Sequence, residues 1–208
     1  MKKDILLLGS QSSSRQDLLR ETGIPFISIS HRSTELETVF TGDLEAYVMA
    51  IARHKMTSLI LPTADELGRD TIMVLTADSL VQHPASGQIL GKPQDEADAA
   101  RMLALARSSE MLIITGCCLY EYVWREGVWS LQRERVWANP TYVEFIVQEN
   151  ELAYYFARLP QAMYSAGAGI IEGFGANYLK SVRGSFSGGR GLPMFELRGA
   201  LRDFGFKF

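Results

Sequence analysis

The sequence predicts an α/β protein built on a mixed twisted sheet flanked by helices. Two observations carry that expectation. Strand-like and helix-like patterns alternate through the first half of the chain, and later apolar runs read as strands joined by tight turns. No stretch reads as a linker or an internal repeat, so the 208 residues are expected to form a single domain.

The elements follow in order. Ile5-Leu6-Leu7-Leu8 marks a buried strand near 4–9, and Leu18 and Leu19 mark a helix near 13–22 that Gly23 and Pro25 terminate. A strand near 26–30 leads to a helix near 43–60, with Asp43 as its N-cap. Thr71-Ile72-Met73-Val74-Leu75 reads as a strand near 71–78 buried on both faces. Gly87–Pro93 is the return arm of a hairpin, and Asp95 caps a helix reaching about Arg107 with Ala99, Met102, Leu103 and Ala106 as its apolar stripe. A long strand at 111–124 turns at Arg125-Glu126-Gly127 into a partner at 128–137. A strand at 141–147, a helix at about 148–158, a glycine-rich stretch at 165–191 and a final helix carrying Met194, Leu197, Leu201 and Phe204 complete the chain.

Bulk properties exclude several function classes. A net charge of −3 gives no basic surface for nucleic acid. No apolar run approaches the roughly 18 residues of a membrane span, and the first such run is too short for a signal peptide, so a cytoplasmic location is expected. Cys117 and Cys118 are adjacent on a strand and point to opposite faces, which makes a bridge between them geometrically poor; both read as structural. His31, His54 and His83 are scattered without metal or triad spacing.

The candidate site residues are polar groups where the pattern wants something else. A strand running into Gly9-Ser10-Gln11-Ser12-Ser13-Ser14-Arg15 at a helix start can bind an anion through free backbone N–H groups, hydroxyls and a guanidinium. The same serines could merely cap the helix. Lys55 falls within the stripe of Leu44, Val48, Ile51, Ala52 and Leu59, where a lysine either snorkels to solvent or meets a buried anion. Asp78 stands just past a central strand, where open α/β sheets build their sites, although aspartate also favours turns. Lys92 is pinned between Gly91 and Pro93 and reads as a surface lysine or a phosphate ligand. Glu172 is an acid among apolar and glycine residues, either a turn charge or a group on a ligand-approaching backbone. Glu35 and Glu37 lie in a polar loop. Together, acids (Glu35, Asp78) that can hold a divalent cation and bases (Arg15, Lys55, Lys92) that can hold phosphate suit phosphoanhydride chemistry.

Taken together, these residues resemble the Maf family of nucleotide pyrophosphatases, the septum-formation-inhibitor family. Its Ser-x-Ser-Pro-Arg-Arg with Leu-Leu is similar to Ser10, Ser12, Arg15, Leu18 and Leu19, and its Asp-Glu to Thr34-Glu35. Its Ala-x-x-Lys, Ala-Asp-Thr/Ser and Leu-Gly-Lys-Pro are similar to Ala52–Lys55, Ala77–Ser79 and Leu90–Pro93. Thr115-Gly116, Ala166-Gly167, Glu172-Gly173, Gly184 and Gly191-Leu192-Pro193 look like its later motifs, so the likeness spans nearly the whole chain.

The resemblance implies a fold like that of the inosine-triphosphate pyrophosphatases and hydrolysis of a nucleoside triphosphate to the monophosphate and pyrophosphate. It implies a Mg²⁺ or Mn²⁺ cofactor and a homodimer. Asp78 would accept a proton from water; Arg15, Lys55 and Lys92 would hold the triphosphate, with Ser10 and Ser12 at its oxygens and Glu35 near the metal with Asp78. Ser13 and Ser14 stand where the family carries Pro and Arg, and Thr34-Glu35 keeps one carboxylate of its acidic pair.

Specificity would rest on Ser14, Ser79 and Glu172. A dTTP/UTP branch has Ile-Gln-Gly where this chain has Ile171-Glu172-Gly173; a 7-methyl-GTP branch has Glu-Gly-Phe-Gly, as in Glu172–Gly175, but Trp at the Ser14 position. The chain leans to 7-methyl-GTP. The alternatives are a dTTP/UTP pyrophosphatase, or a catalytically weakened nucleotide-binding regulator of cell division.

Overall fold

A computed structural model describes residues 4–30 and 40–208. The elements are β1 (Leu6–Leu8), α1 (Ser13–Glu21), β2 (Phe26–Ser28), α2 (Leu44–Thr57), α3 (Ala64–Leu67), β3 (Thr71–His83), β4 (Gln88–Leu90), α4 (Glu96–Ser108), β5 (Met111–Arg125), β6 (Val128–Phe145), α5 (Leu152–Arg158), β7 (Leu179–Gly184), α6 (Phe186–Gly189) and α7 (Met194–Asp203). The seven strands form one sheet of order β2-β1-β3-β5-β6-β7, with β4 paired to β3. It is mixed as expected: β1 runs parallel to β2 and β3, whereas β3–β4 and β6–β7 are antiparallel.

The chain divides into two compact units. The first holds Met1–Asp78, Gly116–Ala138 and Met194–Phe208; the second holds Ser79–Thr115 and Asn139–Pro193. Strands β3, β5 and β6 each contribute residues to both.

In the first unit, β1 is a wholly buried Leu6-Leu7-Leu8, and Leu7, Ala52, Met56, Ile72, Val74 and Cys118 share a core cluster. The short α3 has a capping box in which the Thr63 hydroxyl accepts from the Glu66 N–H while the Glu66 carboxylate accepts from the Thr63 N–H. Trp129 anchors the cluster's edge by donating from its indole nitrogen to the Pro62 carbonyl at 2.8 Å. Residues after α7 return to the start of the chain, where the Asp4 N–H donates to the Lys207 carbonyl at 3.1 Å and the Lys207 N–H to the Asp4 carboxylate at 2.8 Å.

Gly116 shows why β5 needs a glycine. A Cβ there would lie 2.6 Å from the Val48 carbonyl oxygen of α2, so the strand meets helix backbone with no room for a methyl. Gly116→Ala is expected to destabilise the protein by about 1–3 kcal/mol, the usual cost of overpacking against groups that cannot move. A lower urea midpoint at unchanged slope is the measurement that checks it.

In the second unit, Tyr155 is fully buried among Phe145, Tyr178 and Leu103, and its hydroxyl donates to the Ala168 carbonyl at 2.9 Å while accepting from the Ile170 N–H at 3.1 Å. A second cluster joins Val81, Leu90, Met102, Met111 and Val143.

Four expectations shift. The strand expected near 71–78 continues to His83, because the residues past Asp78 pair with β4, Val81 opposite Leu90. The strands expected at 128–137 and 141–147 are one strand, β6, that passes through Pro140. Pro140 is tolerated because pairing with β7 starts only at Thr141 opposite Gly184, so β7 asks for no N–H at the proline. The helix expected at about 148–158 begins as a 3₁₀ turn, Glu149–Glu151, before α5. The glycine-rich stretch folds into short 3₁₀ turns, the strand β7 and the four-residue α6.

Candidate functional site

The first unit holds one cluster of candidate residues. Gly9 ends β1 under tight contact: a Cβ there would meet Leu59 at 2.6 Å and Thr76 at 2.8 Å. Its N–H donates to the Leu75 carbonyl at 2.8 Å, which extends the β1–β3 pairing and places Ser10 at the head of α1. Ser12 caps α1, its hydroxyl accepting from the Arg15 N–H at 3.5 Å. The Ser10 hydroxyl accepts from the Arg15 guanidinium at 3.1 Å and from the Ser12 N–H at 3.3 Å. Ser10 and Arg15 are both buried. Burial pushes the Arg15 guanidinium below its ordinary range, and the negative charge of Asp78 opposes that effect. The capping role of Ser12 and the gathering of Ser10 with Arg15 thus occur together.

Lys55 and Asp78 meet. The ammonium donates to Asp78 Oδ1 at 2.5 Å, with side chains 29% and 20% exposed. The lysine in the apolar stripe therefore has an anionic partner. Helix α2 starts at the Asp43 cap, which accepts from the Ala46 N–H at 3.0 Å, and buries Leu44, Val48, Ala52 and Met56. One buried bond sets its register on β3: the Thr76 hydroxyl donates to the Ala52 carbonyl at 2.7 Å. Thr76 and Asp78 share a strand face, and Ala52 and Lys55 are three residues apart on the helix, so fixing the first pair aligns the second.

The second unit holds the others. Lys92 follows β4 and is exposed; the Gly91 carbonyl beside it accepts from the Gly167 N–H at 2.9 Å, which ties the hairpin to the glycine-rich stretch. Ser79 shares a hydrogen bond with Thr115 at 2.8 Å, and the Thr115 hydroxyl contacts the Gly188 carbonyl at 2.9 Å. Glu172 forms an ion pair with Arg190 at 3.8 Å. Ser14 sits half-buried in the first turn of α1, in the first unit. Glu35, with Thr34, Glu37 and His31, lies outside the described residues. A cavity of about 440 Å³ beside Tyr154, Phe174 and Tyr178 contains none of the candidate residues.

Arg190 and Thr76 escaped the sequence reading. Thr76 looks like any strand threonine, but Arg190 carried a signal: a lone cation in Gly188-Gly189-Arg190-Gly191. The cysteines are free and buried; burial pushes the Cys118 thiol up to about 12 and Cys117 further, which leaves neither a nucleophile.

Among the described residues, no three of His, Cys, Asp and Glu come together as metal ligands. The first cluster offers a hard carboxylate, Asp78, and serine hydroxyls. That donor set fits a divalent cation bound jointly with substrate phosphates, since Mg²⁺ takes one or two protein carboxylates and draws its other ligands from phosphate and water.

A family model described as Maf-like protein matches residues 5–204. The chain is 30% identical over 200 residues to a dTTP/UTP pyrophosphatase of Acholeplasma laidlawii, covering 96% of each chain. It is 31% identical over 202 residues to one of Anaeromyxobacter dehalogenans, covering 97% of this chain and 94% of the relative. A third, from Neisseria meningitidis serogroup B, is 31% identical over 204 residues, with 97% and 95% covered.

Proposed function

This chain belongs to the Maf-like protein family, and from that premise we propose that it is a nucleoside triphosphate pyrophosphatase, splitting its substrate into the monophosphate and pyrophosphate. The observation that carries the reading is the cluster in the first unit, where Asp78 is bonded to Lys55 and its charge acts on the buried Arg15 at the start of α1.

The chemistry follows from those groups. Attack of water on a phosphoanhydride needs a base for the water proton and cations for the charge that develops on phosphate oxygens. Asp78 is the base. Lys55 holds its carboxylate in place, and extends the positive charge towards phosphate. The Arg15 guanidinium and the first N–H groups of α1 bind the triphosphate, with Ser10 orienting Arg15. Ser12 keeps the helix start in shape. Asp78, with Glu35, would hold Mg²⁺ or Mn²⁺ together with the phosphates; the cation supplies charge neutralisation there.

For the base, UTP and dTTP are the better supported substrates, since the relatives above carry those names. A second reading, 7-methyl-GTP, is favoured by the Glu172 carboxylate, because an acid matches the paired N–H donors of a cationic guanine. The test is pyrophosphate release from UTP, dTTP, GTP and 7-methyl-GTP. Release is expected from the pyrimidine triphosphates, to stop with EDTA and to return with Mg²⁺ or Mn²⁺. Nucleotide binding without release from any of the four would leave a binding protein in its place.

A further inference from the structure

We propose that Arg190 is a specificity-determining residue, acting with Glu172 as a donor–acceptor pair that reads a pyrimidine edge. The proposal rests on the pyrophosphatase reading above and names what recognises its base.

The geometry lies within the second unit. Glu172 opens the 3₁₀ turn Gly173–Tyr178, and Gly173, with φ of 56°, takes a backbone that suits glycine. Arg190 ends α6, where its N–H donates to the Phe186 carbonyl at 3.1 Å. Gly189 faces the Glu172 segment and Gly188 faces β6. A Cβ on Gly189 would meet the Ile171 side chain at 2.8 Å, and one on Gly188 would meet Asn139 at 2.5 Å. Without a side chain at Gly189 the α6 segment packs on Ile171, next to Glu172, and Glu172 and Arg190 form an ion pair at 3.8 Å. The arginine side chain is 10% exposed and the glutamate 27%, so the charges face each other where solvent screens them weakly.

The chemistry of the pair differs from that of Glu172 alone. A lone carboxylate repels a pyrimidine carbonyl and attracts the positive charge of an N7-methylated guanine. A guanidinium 3.8 Å away reverses both preferences. It offers N–H donors to the carbonyl, leaves the carboxylate to accept from the adjacent ring N–H, and opposes a cationic base. An amide presents one donor and one acceptor on a single side chain; here they are divided between Arg190 and Glu172.

The test measures binding of UMP and 7-methyl-GMP by calorimetry without metal, on the wild type, Arg190→Met and Glu172→Gln. Wild type is expected to prefer UMP. Arg190→Met is expected to weaken UMP by roughly 10–100-fold, the weight of a good polar base contact, and to improve 7-methyl-GMP. Glu172→Gln is expected to hold UMP within about threefold, because an amide still accepts the ring N–H. Wild-type preference for 7-methyl-GMP, failure to bind UMP, or an Arg190→Met ratio within about threefold of wild type would each overturn the proposal. If Arg190→Met does not fold, the wild-type preference and Glu172→Gln decide it, and loss of UMP binding in Glu172→Gln overturns it. Pyrophosphate release from UTP is followed in parallel. Release with an unaltered ratio removes Arg190 and keeps the enzyme; selective UMP binding without release keeps Arg190 and removes the enzyme.

Discussion

Asp78→Asn is expected to retain nucleotide binding and to lose roughly 10²–10⁴ in turnover, the weight of general-base catalysis. The substitution is nearly isosteric, and the amide oxygen can still accept from the Lys55 ammonium that now lies 2.5 Å from Oδ1, so the local geometry should hold. What the amide cannot do is take a proton from water. Steady-state pyrophosphate release, with affinity measured separately, distinguishes the two. A mutant with near-wild-type turnover removes Asp78 from the chemistry and leaves the pair as a structural contact.

Lys55→Met is expected to fail on two counts. Turnover should fall by roughly 10²–10³, the usual effect of deleting one group that stabilises developing charge. Stability should also fall, by about 1–3 kcal/mol, because a carboxylate that is only 20% exposed loses its charged partner. Methionine suits the apolar stripe of α2, and that gain offsets part of the cost. The double variant Lys55→Met/Asp78→Asn should recover most of the lost stability and none of the activity, since a neutral amide tolerates the site. Urea unfolding of the two singles and the double checks this. A Lys55→Met protein as stable and active as wild type would mean that the pair contributes nothing to either.

Local chemistry was legible in the sequence; pairing across distance was not. The strand, hydroxyl turn and helix around Ser10, Ser12 and Arg15 could be read because cap and anion-binding rules act within a few residues. Lys55 stood out as a misfit, but whether it reached solvent or an anion depended on a residue 23 positions away. The buried Thr76–Ala52 bond, which no pattern announces, helps to seat the helix on that residue's strand. The length of β3 was missed because Asp78 looked like a strand end, whereas the hairpin with β4 carries the strand onward. Arg190 was passed over because glycine-rich segments have no period from which to infer a face, and two of its glycines matter for what their missing Cβ permits. The lean to 7-methyl-GTP comes from the run Glu172–Gly175, and its acid has a different meaning once its neighbour is a guanidinium.

The clasp between Asp4 and Lys207 has a consequence for how the chain is made. The two residues are 203 positions apart, and the first unit takes its segments from the start, middle and final part of the chain. A ribosome therefore delivers every residue of the second unit before it delivers α7. During synthesis the second unit can collapse while β1, α1 and α2 still lack the helix that belongs with them, and the loop that must close spans almost the whole chain. Such long-range closure is slow compared with helix or hairpin formation. The serine turn and Arg15 are thus made before the second unit, yet they belong to the unit that is completed after it. A nascent chain stalled before residue 194 should hold a protease-resistant second unit and a cleavable first one.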